Sequence, residues 1–203
     1  MILQQAPVLL LPDVFDPALC QRLIADWERD HFEGVITRGT GLRDDADRLV
    51  VALSVKKRRD HRLSDDTNVR VSEVVGRRVA PMLHKTFQFR VGFMQHFRVG
   101  AYSAARGDFF KPHRDNTSVT TEDRRFAMSV NLNDDYEGGA VRFPEFGGDL
   151  YRPPTGGALI FSCSLLHEAM PVTRGIRYVA LTFFFAPRDI RRQPSGLLPG
   201  LAG

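Results

Sequence analysis

Phe109-Phe110-Lys111-Pro112-His113-Arg114-Asp115 is the stretch on which the reading of this chain turns. In an extended segment, side chains alternate between two faces, so residues two apart share one. His113 and Asp115 therefore offer an imidazole nitrogen and a carboxylate oxygen on the same side, where both reach one ion. A second histidine, brought in by another strand, would complete three ligands on one face and leave the opposite positions open. That two-His-one-carboxylate set suits Fe(II) and oxygen chemistry. A His and an Asp two apart are a weak signal alone; the weight comes from what flanks them.

The flanking sequence changes period at Phe87. After it, segments near 89–102, 109–114, 124–132, 140–144, 158–162 and 177–185 are short, apolar or alternating, and separated by Gly, Pro and Asn-Asp turns. Before it, Leu19, Leu23, Ile24 and Trp27 recur at helical spacing, with Asp13 or Asp16 as cap and Pro17 at the first helical position. A second helix is expected over 66–86, where Val71, Val74, Val75, Val79, Met82 and Leu83 form a stripe that Pro81 kinks or breaks. Residues 33–48 read as irregular or a short hairpin, and the tail from Arg191 as loosely held. Helices followed by a run of strands predict an α+β fold, an antiparallel sheet closing as a sandwich or jelly roll with N-terminal helical support.

Two residues further along strengthen the ion-site reading. His167 follows Gly156-Gly157-Ala158-Leu159-Ile160-Phe161-Ser162, a tight turn and a buried strand, and a buried imidazole there needs a partner that a metal would supply. Arg177 opens the strand Arg177–Phe185 and shares a face with Val179, Leu181 and Phe183. If that face is the barrel interior, its guanidinium is costly unless an anion pairs with it; a dicarboxylate could bind metal at one end and Arg177 at the other. His31 and His61 lie among charges, while His84 falls on the second helix and His96 in a strand; all four read as ordinary structural histidines.

Composition bounds the rest. The 203 residues suit one domain, and 43% hydrophobic with 26% charged residues is an ordinary globular balance. No apolar run approaches the ~18 residues of a membrane span, and the opening MILQQAPVLLLPDVF reads as a first strand. Cys20 and Cys163 form no CxxC pair, so neither a disulfide framework nor a thiolate zinc site is indicated, which fits a reducing, cytoplasmic setting. The net charge of +4 comes with clusters at Lys56–Arg59, Arg77–Arg78, Arg124–Arg125 and Arg188–Arg192, read as solvated faces. Charge alone does not indicate a nucleic-acid partner.

The order Tyr102…His113-Arg114-Asp115…Gly138-Gly139…Phe143-Pro144…His167…Gly175…Arg177 resembles the 2-oxoglutarate/Fe(II) dioxygenase superfamily, in its prolyl 4-hydroxylase-like branch. The likeness covers about residues 95–186; 1–90 match only in general layout. It implies a double-stranded β-helix at 91–187 within a single domain of residues 1–203, with 1–90 as mainly helical support and 188–203 as a tail. It implies His113, Asp115 and His167 as iron ligands, Arg177 as anchor of the distal carboxylate of 2-oxoglutarate, and Tyr102 and Asn131 as further contacts to that co-substrate. Fe(II), 2-oxoglutarate and O2 are the implied cofactors, with ascorbate admitted as a reductant. The implied reaction hydroxylates a residue in a peptide or protein, or a free amino acid, proline being the best-known target. Substrate contacts are expected from the polar loops at 33–66 and 116–123.

Three other functions remain open at this level. Oxidative demethylation of alkylated nucleic acid uses a pattern with a second Arg six residues after the first, where this chain has Phe183. A zinc enzyme on a cupin-like barrel would use the same ligands but leave Arg177 idle. A binding module that keeps the fold without turnover would not need all three ligands.

Overall fold

The structure, a computed structural model, describes residues 5–30, 42–43, 49–50, 54–192 and 197–199. Two antiparallel sheets face each other. Among the described residues the larger has eight strands, running Val8–Leu11, Ala158–Ser162, Phe126–Asn131 and then the long Ile176–Phe185. The far edge of that long strand is shared: Arg98–Ser103 pairs with its first part and carries Arg59–Arg62 outward, while Phe93–Gln95 pairs with its end and carries Leu197–Pro199. The smaller sheet runs Leu150–Tyr151, Val141–Arg142, His167–Ala169, Phe109–His113, Lys56–Lys57. This is the expected α+β jelly roll.

Helices Pro17–Asp30, Asp65–Arg78 and Ala80–Phe87 cover the outer face of the larger sheet. Asp16 is the cap of the first, its carboxylate accepting from the Leu19 amide at 2.7 Å. The stripe expected over 66–86 becomes two helices, because Pro81 occupies the first turn of a new helix rather than bending an old one. Leu23, Trp27, Val71, Val75, Val79 and Leu83 pack on Val99, Ala101, Met128, Val130, Ile160, Ala180 and Phe184. The alternate residues of the same strands, including Tyr102, Val179 and Arg177, face the other way into the barrel.

Two expectations for the N-terminal part need correction. Residues before 91 are not only support: Val8–Leu11 forms an edge of the larger sheet, Arg59–Arg62 extends it, and Lys56–Lys57 completes the smaller one. The loop expected at 33–66 thus contains four short strands among its described residues. Hairpin pairing joins Leu42–Arg43 to Leu49–Val50; the remainder of 33–48, His31 and most of the tail lie outside the described residues. Leu197–Pro199, expected to be loosely held, is paired as an edge strand.

The turn before Ala158–Ser162 locks the first strand to the sheet. Gly156 has φ +78°, and its carbonyl accepts from the amides of Val14 and Phe15 at 2.9 and 3.0 Å. A Cβ at Gly156 would lie 2.1 Å from the Phe15 carbonyl oxygen. Gly156→Ala is therefore expected to cost at least ~2 kcal/mol, read as a lowered urea midpoint at constant slope. An unchanged midpoint would mean that the turn is not what seats the first strand.

Candidate active site

His113 ends the strand Phe109–His113 and stands directly opposite His167, which opens His167–Ala169 in the same sheet. His167 thus begins a strand of the smaller sheet, after a turn that leaves the larger one at Ser162. Asp115 does not continue the extended segment as expected. It sits in a turn, its amide donating to the Cys163 carbonyl at 2.9 Å, and this brings its carboxylate between the two rings. Asp115 Oδ1 lies 3.5 Å from His113 Nε2 and Oδ2 lies 3.4 Å from His167 Nε2.

The donor set fits a divalent ion. One ligand atom from each of the three residues lies within 4.8 Å of the others, and neighbouring ligands at right angles on bonds near 2.1 Å stand about 3 Å apart. Both histidines have their tautomer fixed. His113 Nδ1 donates to the Lys111 carbonyl at 2.8 Å and His167 Nδ1 to the Leu165 carbonyl at 3.0 Å, so each Nε2 keeps its lone pair toward Asp115. Burial pushes the His167 pKa down to about 4, so the ring is neutral at pH 7. Burial raises the Asp115 carboxyl, but His167, His113 and Arg124 together outweigh it and hold it well below the usual carboxylate range. A neutral imidazole and an ionised carboxylate are the states a metal requires.

The surroundings hold these groups still. The Phe110 ring stacks on His113 at 3.4 Å between centroids, and Phe161 packs against His167 at 4.5 Å. Arg114, the residue between the two candidate ligands, donates to Glu145 at 2.6 Å and to the Ser164 carbonyl. Glu145 also accepts from the Leu166 amide at 3.3 Å, so one ion pair braces both ligand-bearing segments.

Deeper in the barrel lies Arg177, 3% exposed. Its Nε and Nη2 donate to Asn131 Oδ1 at 3.1 and 2.9 Å, and Nη2 reaches Ser129 Oγ at 3.5 Å. No carboxylate among the described residues pairs with it. A buried guanidinium held only by neutral acceptors lacks its counter-charge, which an anionic ligand would supply. Asn131 has its own amide committed, donating to Tyr136 Oη at 3.1 Å and the Pro153 carbonyl at 2.7 Å. Its visible work is to aim Arg177, where a direct contact to a co-substrate was expected. Tyr102 lies opposite Arg177 in the register, and its hydroxyl accepts from Arg58 at 2.9 Å. The hydroxyl proton remains available to a further acceptor in the pocket.

Sequence reasoning missed the charges beside this pocket. Lys56, Arg58 and Asp60 alternate into the barrel, with 6%, 7% and 2% of their side-chain surface exposed. Arg58 grips Asp60 through two bonds of 2.5 and 2.8 Å. The run Lys56–Arg59 had the look of a solvated face; its period of two was the signal, hidden by uniform charge. Gly100 makes the pair possible, since a Cβ there would lie 2.9 Å from both Arg58 and Asp60.

Fold and site together define a jelly-roll protein with a two-His-one-carboxylate centre and a buried basic residue behind it. Residues 97–185 match the family model of the 2OG-Fe(II) oxygenase superfamily. The chain thus resembles that superfamily over somewhat less than half of its length, and members of the superfamily take Fe(II), 2-oxoglutarate and O2. A PKHD-type hydroxylase of Synechococcus sp. (strain JA-2-3B'a(2-13)) is 33% identical over 70 residues, 34% of this chain and 31% of that protein. Human procollagen-lysine,2-oxoglutarate 5-dioxygenase 2 is 30% identical over 109 residues, 52% of this chain and 14% of that protein. The matched part is thus under a third of either relative. Among solved structures, a Trichoplax adhaerens prolyl hydroxylase, in complex with a hypoxia inducible factor peptide, superimposes with TM-score 0.73 at 14% identity, covering 94% of this chain and 89% of that one. The viral collagen prolyl hydroxylase of Paramecium Bursaria Chlorella virus-1 gives 0.65 at 15% identity, over 92% and 99%. These two likenesses bear on the fold.

Proposed function

We propose that this chain is an Fe(II)- and 2-oxoglutarate-dependent hydroxylase acting on an amino-acid residue in a peptide or protein, or on a free amino acid, with a proline-type target favoured. The observation that carries the reading is the pairing of two features inside one barrel: the His113–Asp115–His167 cluster and a buried Arg177 that lacks a carboxylate. A zinc hydrolase would use the first feature and leave the second unexplained. No second arginine follows Arg177 at six residues, so nucleic-acid demethylation is not favoured. Residues 1–203 act as one oxygenase domain, its jelly roll built mainly from 91–187 with strands contributed by Val8–Leu11, Lys56–Lys57, Arg59–Arg62 and Leu197–Pro199. The two cysteines are free and buried, which fits a reducing compartment such as the cytoplasm. Among the described residues no helix is long and apolar enough to cross a membrane.

In this reading His113, Asp115 and His167 would hold Fe(II), with 2-oxoglutarate and O2 as the co-substrates. When bound, the iron with its co-substrate supplies an oxidative decarboxylation that yields succinate and CO2 and delivers one oxygen atom to a C–H bond. The chain's own residues do the placing. Arg177 pairs with the distal carboxylate, Asn131 and Ser129 fix the guanidinium, and Tyr102 donates its hydroxyl proton to the same carboxylate. Val179, Val172, Phe110 and Leu181 form an apolar lining that keeps water from the reacting centre.

The deciding experiment is anaerobic titration of 2-oxoglutarate into Fe(II)-loaded protein, followed by visible absorption, with succinate formation measured on admitting O2. A new charge-transfer band and succinate are expected; a folded, iron-loaded protein showing neither would sink the proposal. Asn131→Leu adds a finer test. It should raise the 2-oxoglutarate needed for half-maximal succinate formation by about tenfold, with the rate at saturation near wild type. An equal loss in both would mean that Asn131 shapes the whole pocket and not the anchor alone.

A further inference from the structure

Three side chains stand in one row across the larger sheet, and two of them have tasks in the chemistry proposed above. Tyr102 lies opposite Arg177 in the register. The pairing that joins Arg59 to Ala101, carried one residue further, sets Arg58 beside Tyr102 on its other side. Both guanidinium carbons lie near the Tyr102 ring, 5.3 Å from its centroid for Arg58 and 5.8 Å for Arg177. Arg177 is aimed by Asn131; the role of Arg58 is still to be explained.

The Arg58 side chain is buried and committed to two neighbours. Nε and Nη2 donate to the two carboxylate oxygens of Asp60 at 2.5 and 2.8 Å, and Nη1 donates to the Tyr102 hydroxyl oxygen at 2.9 Å. Burial works against the Arg58 charge, but Asp60 and Tyr102 outweigh it and hold the guanidinium more firmly protonated than an ordinary arginine. Burial likewise raises the Asp60 carboxyl, and Arg58 and Lys56 outweigh it, so this group stays ionised. A planar fork locked on a carboxylate has one orientation, and its remaining donor therefore points along a fixed line.

That bond decides which way the phenol faces. A guanidinium has donors only, so Tyr102 must accept from it, and a hydroxyl that gives a lone pair to a donor turns its own proton elsewhere. Tyr102 is 3% exposed, and among the described residues no acceptor takes its proton. A buried O–H without an acceptor is costly. On the proposed reading the acceptor is the distal carboxylate of 2-oxoglutarate, which Arg177 binds from the neighbouring strand.

We propose that Arg58, clamped by Asp60, is a positioning residue for the co-substrate: it fixes the Tyr102 hydroxyl as a donor aimed at the carboxylate that Arg177 binds. The inference rests on the oxygenase reading above and adds to it a residue that acts only through another. Without Arg58 the hydroxyl is free to rotate, and part of the population presents an oxygen lone pair to the incoming carboxylate.

The test is a double-mutant cycle read by binding rather than turnover. The full chain is loaded anaerobically with Fe(II), and 2-oxoglutarate is titrated by the absorption band in wild type, Arg58→Met, Tyr102→Phe and the double variant. Each single change should raise half-saturation about tenfold, as for loss of one hydrogen bond to a charged group. The double variant should match the larger single effect within about twofold, because both changes remove the same bond. Asp60 keeps Lys56 at 3.8 Å in Arg58→Met, so its carboxylate is not left without a cation. Arg58→Lys is the second variant, should the first fail to fold. Its single ammonium cannot serve both partners as the fork does, and it should give an intermediate rise that Tyr102→Phe again absorbs. Iron content and a circular dichroism melt accompany each titration. Effects that multiply in the double variant would make Arg58 a direct contact and overturn the proposal. So would unchanged half-saturation in the Arg58 variants or in Tyr102→Phe, or a loss of iron in step with the loss of 2-oxoglutarate. Absence of the band in folded, iron-loaded wild type would instead overturn the underlying oxygenase reading.

Discussion

Asp115→Ala is expected to lower 2-oxoglutarate turnover by at least about a thousandfold, without unfolding the protein. The carboxylate stands 3.5 and 3.4 Å from the two Nε2 atoms and is the only anionic donor of the cluster. Without it, two neutral imidazoles remain, and a hard ion such as Fe(II) loses both its charge compensation and a third of its protein ligands. The fold should tolerate the change, because the turn is held by the Asp115 amide to Cys163 and by Arg114 to Glu145, and neither contact uses the carboxylate. The measurement is iron content and succinate formation, beside a circular dichroism melt. A variant that keeps iron and turnover would mean that the ligands lie elsewhere.

The second large effect is at Arg177. Replacing it with Ala should raise the 2-oxoglutarate concentration needed for half-saturation about a hundredfold, roughly 2.7 kcal/mol, the range of a buried charge-assisted pair. Iron binding should survive, since no contact joins Arg177 to the histidines. Arg177→Lys should recover part of the loss: the charge returns, but a single ammonium cannot reproduce two guanidinium bonds to Asn131 and still face a carboxylate. Titration by the absorption band separates these cases. Wild-type affinity in Arg177→Ala would assign the distal carboxylate to another cation, with Arg58 beside Tyr102 first to be examined.

What could be read from the sequence, and what could not, follows from how each residue announces itself. Ile176–Phe185 and Ala158–Ser162 are long apolar strands bounded by glycine turns, and nothing competes with that pattern. His113 and Asp115 are legible from their spacing of two, and His167 and Arg177 because each is a polar group beside an apolar strand. Lys56, Arg58 and Asp60 fail that criterion. They are charged residues in a charged run, and only the pairing of Arg59–Arg62 with Arg98–Ser103 shows that alternate members point inward. Asn131 was found by position but not by job, since what an amide contacts depends on Tyr136 and Pro153, brought close by a turn and a strand return. The turn at Asp115 was hidden for the same reason, being fixed by Cys163, 48 positions away in the sequence.

Arg177 sits on a rigid central strand of the larger sheet, clamped by Asn131 and Ser129, while the candidate iron ligands sit on the facing sheet, clamped by backbone carbonyls. On the proposed reading, neither jaw of this caliper can slide, so the gap between them becomes a gauge of molecular length. On that reading, a five-carbon 2-oxo diacid is the length expected to bridge it. The four-carbon oxaloacetate would fall short at one jaw, and the six-carbon 2-oxoadipate would have to buckle against Val179 and Leu181. Selection for 2-oxoglutarate over its shorter and longer homologues is then a property of the strand framework itself, set by the distance between two sheets.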